Sequence, residues 1–279
     1  MTTSSVPELA SSTAIAPPGE IAIVVLTHNR VHLLSKCVEN VLLRTSTATR
    51  EIVIWNNGSS DGTAAYLDSL DDPRISVVHN EANIGQNAYA QAFATTTSPY
   101  FIELDDDVVD APRDWDETLL EAFRRLPSVG FLAADLEDDP HDEASHVRHH
   151  VRPHEYVPVV ENGVRLLRGP AGGGCAITSR ELNERVGGFR QQKDKVFWLE
   201  DLAYIQDIIR LGYEAAVLAD LRVRHTGGPY YTVAPKEKDA FWADYRRRRA
   251  RRMAVKRMVF RVPLFARANA RYGWYEPPS

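Results

Sequence analysis

Short apolar runs alternate with amphipathic stretches along the first hundred or so residues, roughly the length of several strand–helix units. Ile21–Leu26 is a continuous apolar run of strand length, and Val31–Leu43 carries apolar residues at helical spacing. Glu51–Trp55 repeats the strand pattern, Asn56–Gly62 reads as a turn cluster, and Thr63–Leu70 predicts a helix that Asp61 can cap. Ile75–Val78 predicts a third strand, Gly85–Thr95 a third helix, and Tyr100–Leu104 a fourth strand that stops at Asp105-Asp106-Asp107. This order implies an α/β fold with a mainly parallel central sheet, flanked by helices and joined by right-handed crossovers. Between Asp135 and Glu161 neither period is sustained and Asp, Glu, His and Pro dominate, so an irregular insertion or lid is expected. His141, His146, His149, His150 and His154 fall in it at a spacing that matches no standard metal site. Regular structure resumes with Val164–Leu167, a Gly-rich turn at Gly169–Gly174, and a strand-to-helix passage over Cys175–Val186. A helix over Leu202–Leu211, stopped by Gly212, and strands at Ala215–Leu218 and Arg222–His225 complete the pattern.

In parallel α/β sheets ligands lie beyond the carboxyl ends of the strands. The polar clusters Thr27–Arg30, Asn56–Asp61 and Asp105–Asp107 all fall there. Alternation along a strand lets Asp105 and Asp107 face one site while Asp106 turns away. Neighbouring carboxylates repel unless a cation lies near them, and Mg²⁺ or Mn²⁺ accepts oxygen ligands and bridges to phosphates; a solvated acidic turn is the plain alternative. Glu200-Asp201 reads either as a helix start with Asp201 as N-cap, or as a carboxylate pair whose Asp201 takes a proton from an attacking hydroxyl. Phe197-Trp198-Leu199 ahead of it can wall a sugar site or pack in a core. His225 is either structural or a ligand for a Mn²⁺-type ion, and the following Gly227 and Gly228 would let a loop fold back over phosphates. The Gly169–Gly174 segment, Gly173 and Gly174 included, either gives a substrate close access to backbone or is a plain turn.

Composition narrows this little. A length of 279 residues with 44% hydrophobic and 25% charged residues excludes a collagenous or wholly disordered chain and allows one large α/β domain or two small ones, of which one domain with appendages is favoured. The formal net charge of −5 gives no global attraction to nucleic acid, which is not an expected partner. The C-terminal stretch is locally basic: Arg246–Arg249, Arg251, Arg252, Lys256, Arg257 and Arg261 interleave with Trp242, Tyr245, Met253, Met258, Val259, Phe260 and Phe265. A basic, partly amphipathic helix here suits peripheral contact with an anionic membrane surface through 242–265, or packing on the domain with its arginines solvated. Cys37 and Cys175 are far apart and outside any CxxC spacing, so neither a disulfide framework nor a thiolate zinc site is expected, and a reducing, cytoplasmic setting is. Met1–Glu20 lacks the basic start and apolar segment of a signal peptide and is expected to be a disordered tail. No apolar run reaches membrane-spanning length.

The ordered set of motifs resembles the family 2 glycosyltransferases, which have the GT-A nucleotide-diphospho-sugar transferase fold. Val25-Leu26-Thr27-His28-Asn29-Arg30, Asn57-Gly58-Ser59-Ser60-Asp61-Gly62-Thr63, Asn80–Asn87, Leu104-Asp105-Asp106-Asp107 and Trp198-Leu199-Glu200-Asp201 carry the resemblance, with Gly187-Gly188-Phe189 and His225. It covers about Ile21–Gly228 and implies a catalytic domain over 21–230 with a basic helical extension over 231–279. Thr27, Asn29, Arg30, Asn56, Gly85, Asp105 and Asp106 are implied on the donor side, Asn56 standing where many members carry a base-contacting Asp. Asp105, Asp107 and His225 are implied metal ligands for Mn²⁺ or Mg²⁺, Asp201 with Glu200 the catalytic carboxylates of an inverting displacement, and Trp198, Gly173 and Gly174 the acceptor side. The implied donor is a nucleotide-diphosphate sugar, with UDP or dTDP favoured, and the acceptor a glycan, lipid-linked or small-molecule hydroxyl. A nucleotidyltransferase would want a Gly-rich, basic phosphate loop after the first strand, which Thr27–Arg30 is not. A non-catalytic binding module would be expected to lose carboxylates such as Asp107 and Asp201.

Overall fold

The structure is a computed structural model that describes residues 19–138, 155–192, 199–226 and 236–259, the last segment by its backbone and part of its side chains. The expected elements appear as β1 (Ile21–Thr27), α1 (Val31–Arg44), β2 (Thr49–Asn57), α2 (Thr63–Asp68), β3 (Ile75–Asn80), α3 (Asn87–Thr95) and β4 (Tyr100–Asp105). Next come β5 (Val108–Asp110), α4 (Trp115–Arg124), β6 (Val129–Asp138), β7 (Val157–Glu161), β8 (Val164–Arg168) and β9 (Cys175–Ser179). The chain continues with α5 (Arg180–Val186), α6 (Glu200–Arg210), β10 (Glu214–His225) and α7 (Lys236–Val259).

All ten strands join one sheet in the order β3-β2-β1-β4-β9-β6-β10-β8-β7, with β5 paired to β10. β3, β2, β1 and β4 are mutually parallel, β6 and β10 are parallel, and β9 runs antiparallel between β4 and β6. The period-two alternation of each strand divides the core into two layers. On one face Ile21, Ile23, Val25, Ile102 and Leu104 pack with Leu34, Val38 and Val41 of α1 and Trp115 and Leu119 of α4. On the other, Ala22, Val24 and Phe101 pack with Tyr89 and Phe93 of α3 and Tyr204 and Ile208 of α6. Phe189 bridges the second layer, stacking at 4.1 Å on Tyr204 and 5.0 Å on Phe93.

Several expectations shift. Asp135 and Val157–Glu161, expected in an irregular insertion, lie in β6 and β7, because these strands pair with β10 and β8; the five histidines between them lie outside the described residues. The two strands expected at Ala215–Leu218 and Arg222–His225 are one, β10, whose pairing with β6 slips between Leu218 and Arg222. That bulge absorbs the polar interruption that reads as a strand break. Gly19 and Glu20, expected in the tail, are ordered. Glu20 donates its N–H to the Ala48 carbonyl at 2.8 Å and accepts from the Tyr100 N–H at 3.1 Å. A Cβ at Gly19 would stand 2.7 Å from the Thr47 and Ala48 carbonyl oxygens, so the chain enters β1 through a close backbone contact. Along α7 the exposed Val255 and Met258 share an arc with Arg248, Arg251 and Arg252, so no apolar stripe is segregated among its described side chains.

Candidate active site

Three loops meet at the carboxyl ends of β1, β2 and β4. Asn29 takes a positive φ of 54°, which Asn tolerates better than most residues, and its side-chain oxygen accepts from the Ser60 N–H at 2.6 Å. Ser59 Oγ accepts from the Asn29 N–H at 2.9 Å. Asp61 accepts at one oxygen from the Val31 N–H opening α1, at 3.1 Å, and at the other from the Thr63 N–H opening α2, at 3.0 Å. The residue before α2 is Gly62, so Asp61 ties two helix starts together rather than capping one in the usual way. Asn56, buried at the end of β2, accepts from the Ser59 N–H at 3.1 Å and places its amide nitrogen 3.0 Å from His79 Nδ1. Asn57 accepts from the Ile84 N–H at 3.0 Å and donates to the Gly85 carbonyl at 3.1 Å, fixing the turn ahead of α3.

The acidic triplet leaves β4 at a turn, and its three side chains take two directions. Asp106 is buried against the β1 loop, accepting from Thr27 Oγ1 at 2.7 Å and pairing with Arg30 Nη1 at 2.5 Å. Arg30 also reaches Asp107 Oδ2 at 3.0 Å. Thr27 and Arg30, both implied on the donor side, thus spend polar atoms on supporting the triplet. Burial pushes the Asp106 carboxyl up to about 6, against the pull of the Arg30 charge. Asp105 faces the other way, toward β10, and Asp107 spans the two sides, its Oδ2 on Arg30 and its Oδ1 toward β10. The chain after Asp107 pairs antiparallel with the end of β10, Val108 opposite His225, and the Thr226 N–H donates to the Asp107 carbonyl at 2.8 Å. This fold-back brings His225 Nε2 to 3.0 Å from Asp107 Oδ1 and 3.4 Å from Asp105 Oδ2.

One ligand atom from each of Asp105, Asp107 and His225 lies within 4.8 Å of the others, a set of two carboxylate oxygens and one imidazole nitrogen that fits a hard or borderline divalent cation. Asp107 is fully buried, His225 nearly so, and Asp105 is part-exposed, so the cluster opens on one side. Burial by itself lowers the His225 pKa, but its contacts with Asp105 and Asp107 raise it to about 10. Asp107 moves the opposite way: burial raises it, and His225 and then Arg30 pull it below the ordinary carboxylate value. Beneath the triplet the Cys37 thiol donates to the Asp105 carbonyl at 3.6 Å, and burial, then the three aspartates, hold it neutral.

Asp201 stands in the first turn of α6, after Leu199 as the capping position, so it is not the N-cap. Its carboxylate accepts from the Leu202 N–H at 2.6 Å, and the Gly173 N–H is turned toward it. Burial raises its pKa, those two N–H groups oppose the rise, and the Asp105 charge adds to it. Glu200 precedes it in the same turn. Gly174 links this carboxylate to the cluster, since its carbonyl accepts from the Asp105 N–H at 2.9 Å and its Cβ position lies 3.3 Å from Asp105 Oδ2. A Cβ at Gly173 would run into the Glu103 carboxyl, and one at Gly174 would press on Leu136 and Asp105, so packing within the chain already favours glycine at both. Trp198, Gly227 and Gly228 lie outside the described residues. Glu103, in the middle of β4, escaped the sequence reading although a lone acid inside the apolar run Tyr100–Leu104 was the available signal.

The fold and this cluster define a nucleotide-sugar transferase framework of GT-A type. The sequence profile of Glycosyl transferase family 2 matches residues 22–187, more than half of the chain, and the chain belongs to that family. Solved structures similar to it share the fold. They include a mannosyltransferase, PcManGT, from Pyrobaculum calidifontis in complex with GDP-Man and Mn²⁺, at 21% identity and TM-score 0.53 over 75% of this chain and 57% of that one. GalNAc-T7 with UDP, GalNAc and Mn²⁺ matches at 16% identity and TM-score 0.55, over 76% and 44%. S. aureus TarS 1-349 in complex with UDP-GlcNAc matches at 13% identity and TM-score 0.59, over 75% of this chain and 59% of that one. The chain thus spans between 44% and 59% of the length of these three neighbours. Asp105 and Asp107 fit a DxD-like motif. No helix among the described residues is long and apolar enough to cross a membrane.

Proposed function

We propose that this chain transfers a sugar from a nucleotide-diphosphate donor to an acceptor hydroxyl by a single inverting displacement, with a divalent cation held by Asp105, Asp107 and His225. The observation that carries the reading is the Gly172–Gly174 turn, which sets the Asp201 carboxylate beside that cluster. Bound there, Mn²⁺ or Mg²⁺ would supply positive charge for a departing diphosphate. Asp107 and His225 are held in place before any ligand arrives, one by Arg30 and the other by the β5–β10 pairing. Thr27, Asn29, Arg30, Asn56, Gly85, Asp105 and Asp106 surround the donor side, and UDP or dTDP is the favoured carrier. Two of the three neighbours described above carry uridine ligands and one a guanosine ligand, which supports a nucleotide sugar more than any one base. Asp201 takes the acceptor proton, and the burial that raises its pKa makes it a stronger base than a solvated aspartate. Glu200 flanks it, while Trp198, Gly173 and Gly174 border the acceptor. The acceptor is a glycan, lipid-linked or small-molecule hydroxyl. The exposed arginines of α7 suit a place in the cytoplasm at the inner, anionic face of a membrane.

The test is release of nucleoside diphosphate from a panel of UDP-, dTDP- and GDP-sugars with Mn²⁺, with and without acceptor mixtures. One donor should be consumed, and Asp201→Asn should slow its turnover about 10²–10⁴-fold, the usual scale for a lost general base, while donor binding persists. Undiminished turnover in Asp201→Asn would remove Asp201 from the chemistry.

A further inference from the structure

Glu103 is a carboxyl where the sheet calls for an apolar side chain. It is 3% exposed, on the same face of β4 as Phe101, in the layer covered by α3 and α6. Burying such a group without full hydrogen bonding is costly. The Tyr89 hydroxyl lies near it and lowers its pKa, while its Oε2 has no hydrogen-bond partner. What the carboxyl touches explains its presence. A Cβ on Gly173 would lie 2.4 Å from Oε1, 2.5 Å from Cδ and 2.6 Å from Oε2, so the whole carboxyl fills the space against the Gly173 Cα.

Gly173 is the middle of a bridge. On one side its N–H is turned toward the Asp201 carboxylate and lowers its pKa, and the Cβ position of neighbouring Gly172 is 3.5 Å from Asp201 Oδ2. On the other side Gly174 is bonded to the Asp105 backbone. With three glycines in a row the turn has wide backbone freedom of its own. Something must hold its middle if the N–H is to point at Asp201. Glu103 is anchored in a central strand between β1 and β9 and flanked on the α3 side by Tyr89, which makes it a well-placed support.

We propose that Glu103 is a positioning residue: its carboxyl props the Gly172–Gly174 turn from beneath, aims the Gly173 N–H at Asp201, and so sets the distance between that carboxylate and the Asp105–Asp107–His225 cluster. The catalytic consequence rests on Asp201 being the base; the structural link does not. Shape rather than charge carries the effect, so Gln serves in place of Glu and Ala does not.

Two measurements on the full chain separate these levels. In ¹⁵N-glycine-labelled protein the Gly173 amide signal is identified by its loss in Gly173→Ala, and its response to Asp201→Asn reports the approach of this N–H to the Asp201 carboxylate. That response should persist in Glu103→Gln and vanish in Glu103→Ala; an equal response in Glu103→Ala overturns the proposal. The second measurement needs turnover of any nucleotide sugar. Gly173→Ala drives a methyl into the Glu103 carboxyl and should lower kcat by about 10²-fold, the scale of a 1 Å misplacement, with donor KM within about twofold. Adding Glu103→Ala to Gly173→Ala should recover part of that loss, and failure of any rescue counts against the contact. If Glu103→Ala does not fold, the comparison of Glu103→Gln with Gly173→Ala still decides, since only the latter should lose kcat. A positive amide response with turnover indifferent to Asp201→Asn would instead overturn the assignment of the base and leave the strut intact.

Discussion

Arg30→Met removes the guanidinium that pairs with Asp106 at 2.5 Å and Asp107 at 3.0 Å while keeping most of the side-chain volume. The partners cannot turn to water, because the Asp106 and Asp107 side chains are 4% and 0% exposed. Asp106 keeps the Thr27 hydroxyl and Asp107 keeps His225, but two negative charges then share a dry pocket with less compensation. Breaking a buried ion pair by removing one partner costs about 3–5 kcal/mol. At roughly 2–4 °C per kcal/mol for a chain of this size class, the melting temperature should fall by about 10 °C. The measurement is thermal unfolding followed by circular dichroism in EDTA at pH 8 and at pH 5. Asp106 already has its pKa raised by burial, and losing Arg30 raises it further, so lowering the pH neutralises the offending charge. The deficit should therefore shrink at pH 5 relative to pH 8, and an Asp106→Asn background should remove much of it at both. A melting temperature within about 2 °C of wild type at pH 8 would refute the view of Arg30 as the electrostatic support of the triplet.

His225 has a pKa of about 10 in the folded chain against an ordinary 6.5, so its pairing stabilises the metal-free protein fully below about pH 6.5 and is lost as pH rises toward 10. Chemical denaturation in EDTA across that window should show the decline, and His225→Gln should flatten it; parallel curves would contradict the pairing. Gly58 has φ +69° and a Cβ there would stand 2.6 Å from the Ala82 carbonyl carbon, whereas Gly212 has φ +91° with nothing within 4 Å. Gly58→Ala should cost more than the roughly 1–2 kcal/mol of left-handed strain that Gly212→Ala carries, and equal denaturation midpoints would show that the β2 loop yields.

The opening strands and helices were legible because each element lies in one local run. The alternation of Ile21–Leu26, Glu51–Trp55, Ile75–Val78 and Tyr100–Leu104 with amphipathic segments is enough to delimit β1 to β4 along the chain. The strands beyond β4 were harder, since β9 enters the sheet antiparallel between β4 and β6 and β10 hides a bulge behind a polar break. Nonlocal pairing of that kind leaves no period in the sequence. Residue type, position at a strand end and the family resemblance point to Asp105, Asp107 and His225 as ligands, and the fold-back of β5 onto β10 is what joins residues more than a hundred positions apart. Arg30 and Asp106 were singled out, yet their mutual pairing was invisible because each was considered only with its own loop. Glu103 was passed over because its meaning lies in a glycine far along the chain.

The most direct test of the account is calorimetric titration of the full chain with UDP, dTDP, GDP, CMP and ADP, each with Mn²⁺ and with EDTA, on wild type and Asp107→Ala. The cluster of Asp105, Asp107 and His225 predicts that a nucleoside diphosphate binds only with Mn²⁺ and that Asp107→Ala abolishes that binding in a chain that still melts cooperatively. Nucleotide binding that is indifferent to Mn²⁺ and unchanged in Asp107→Ala, or no binding of any of the five, would contradict it.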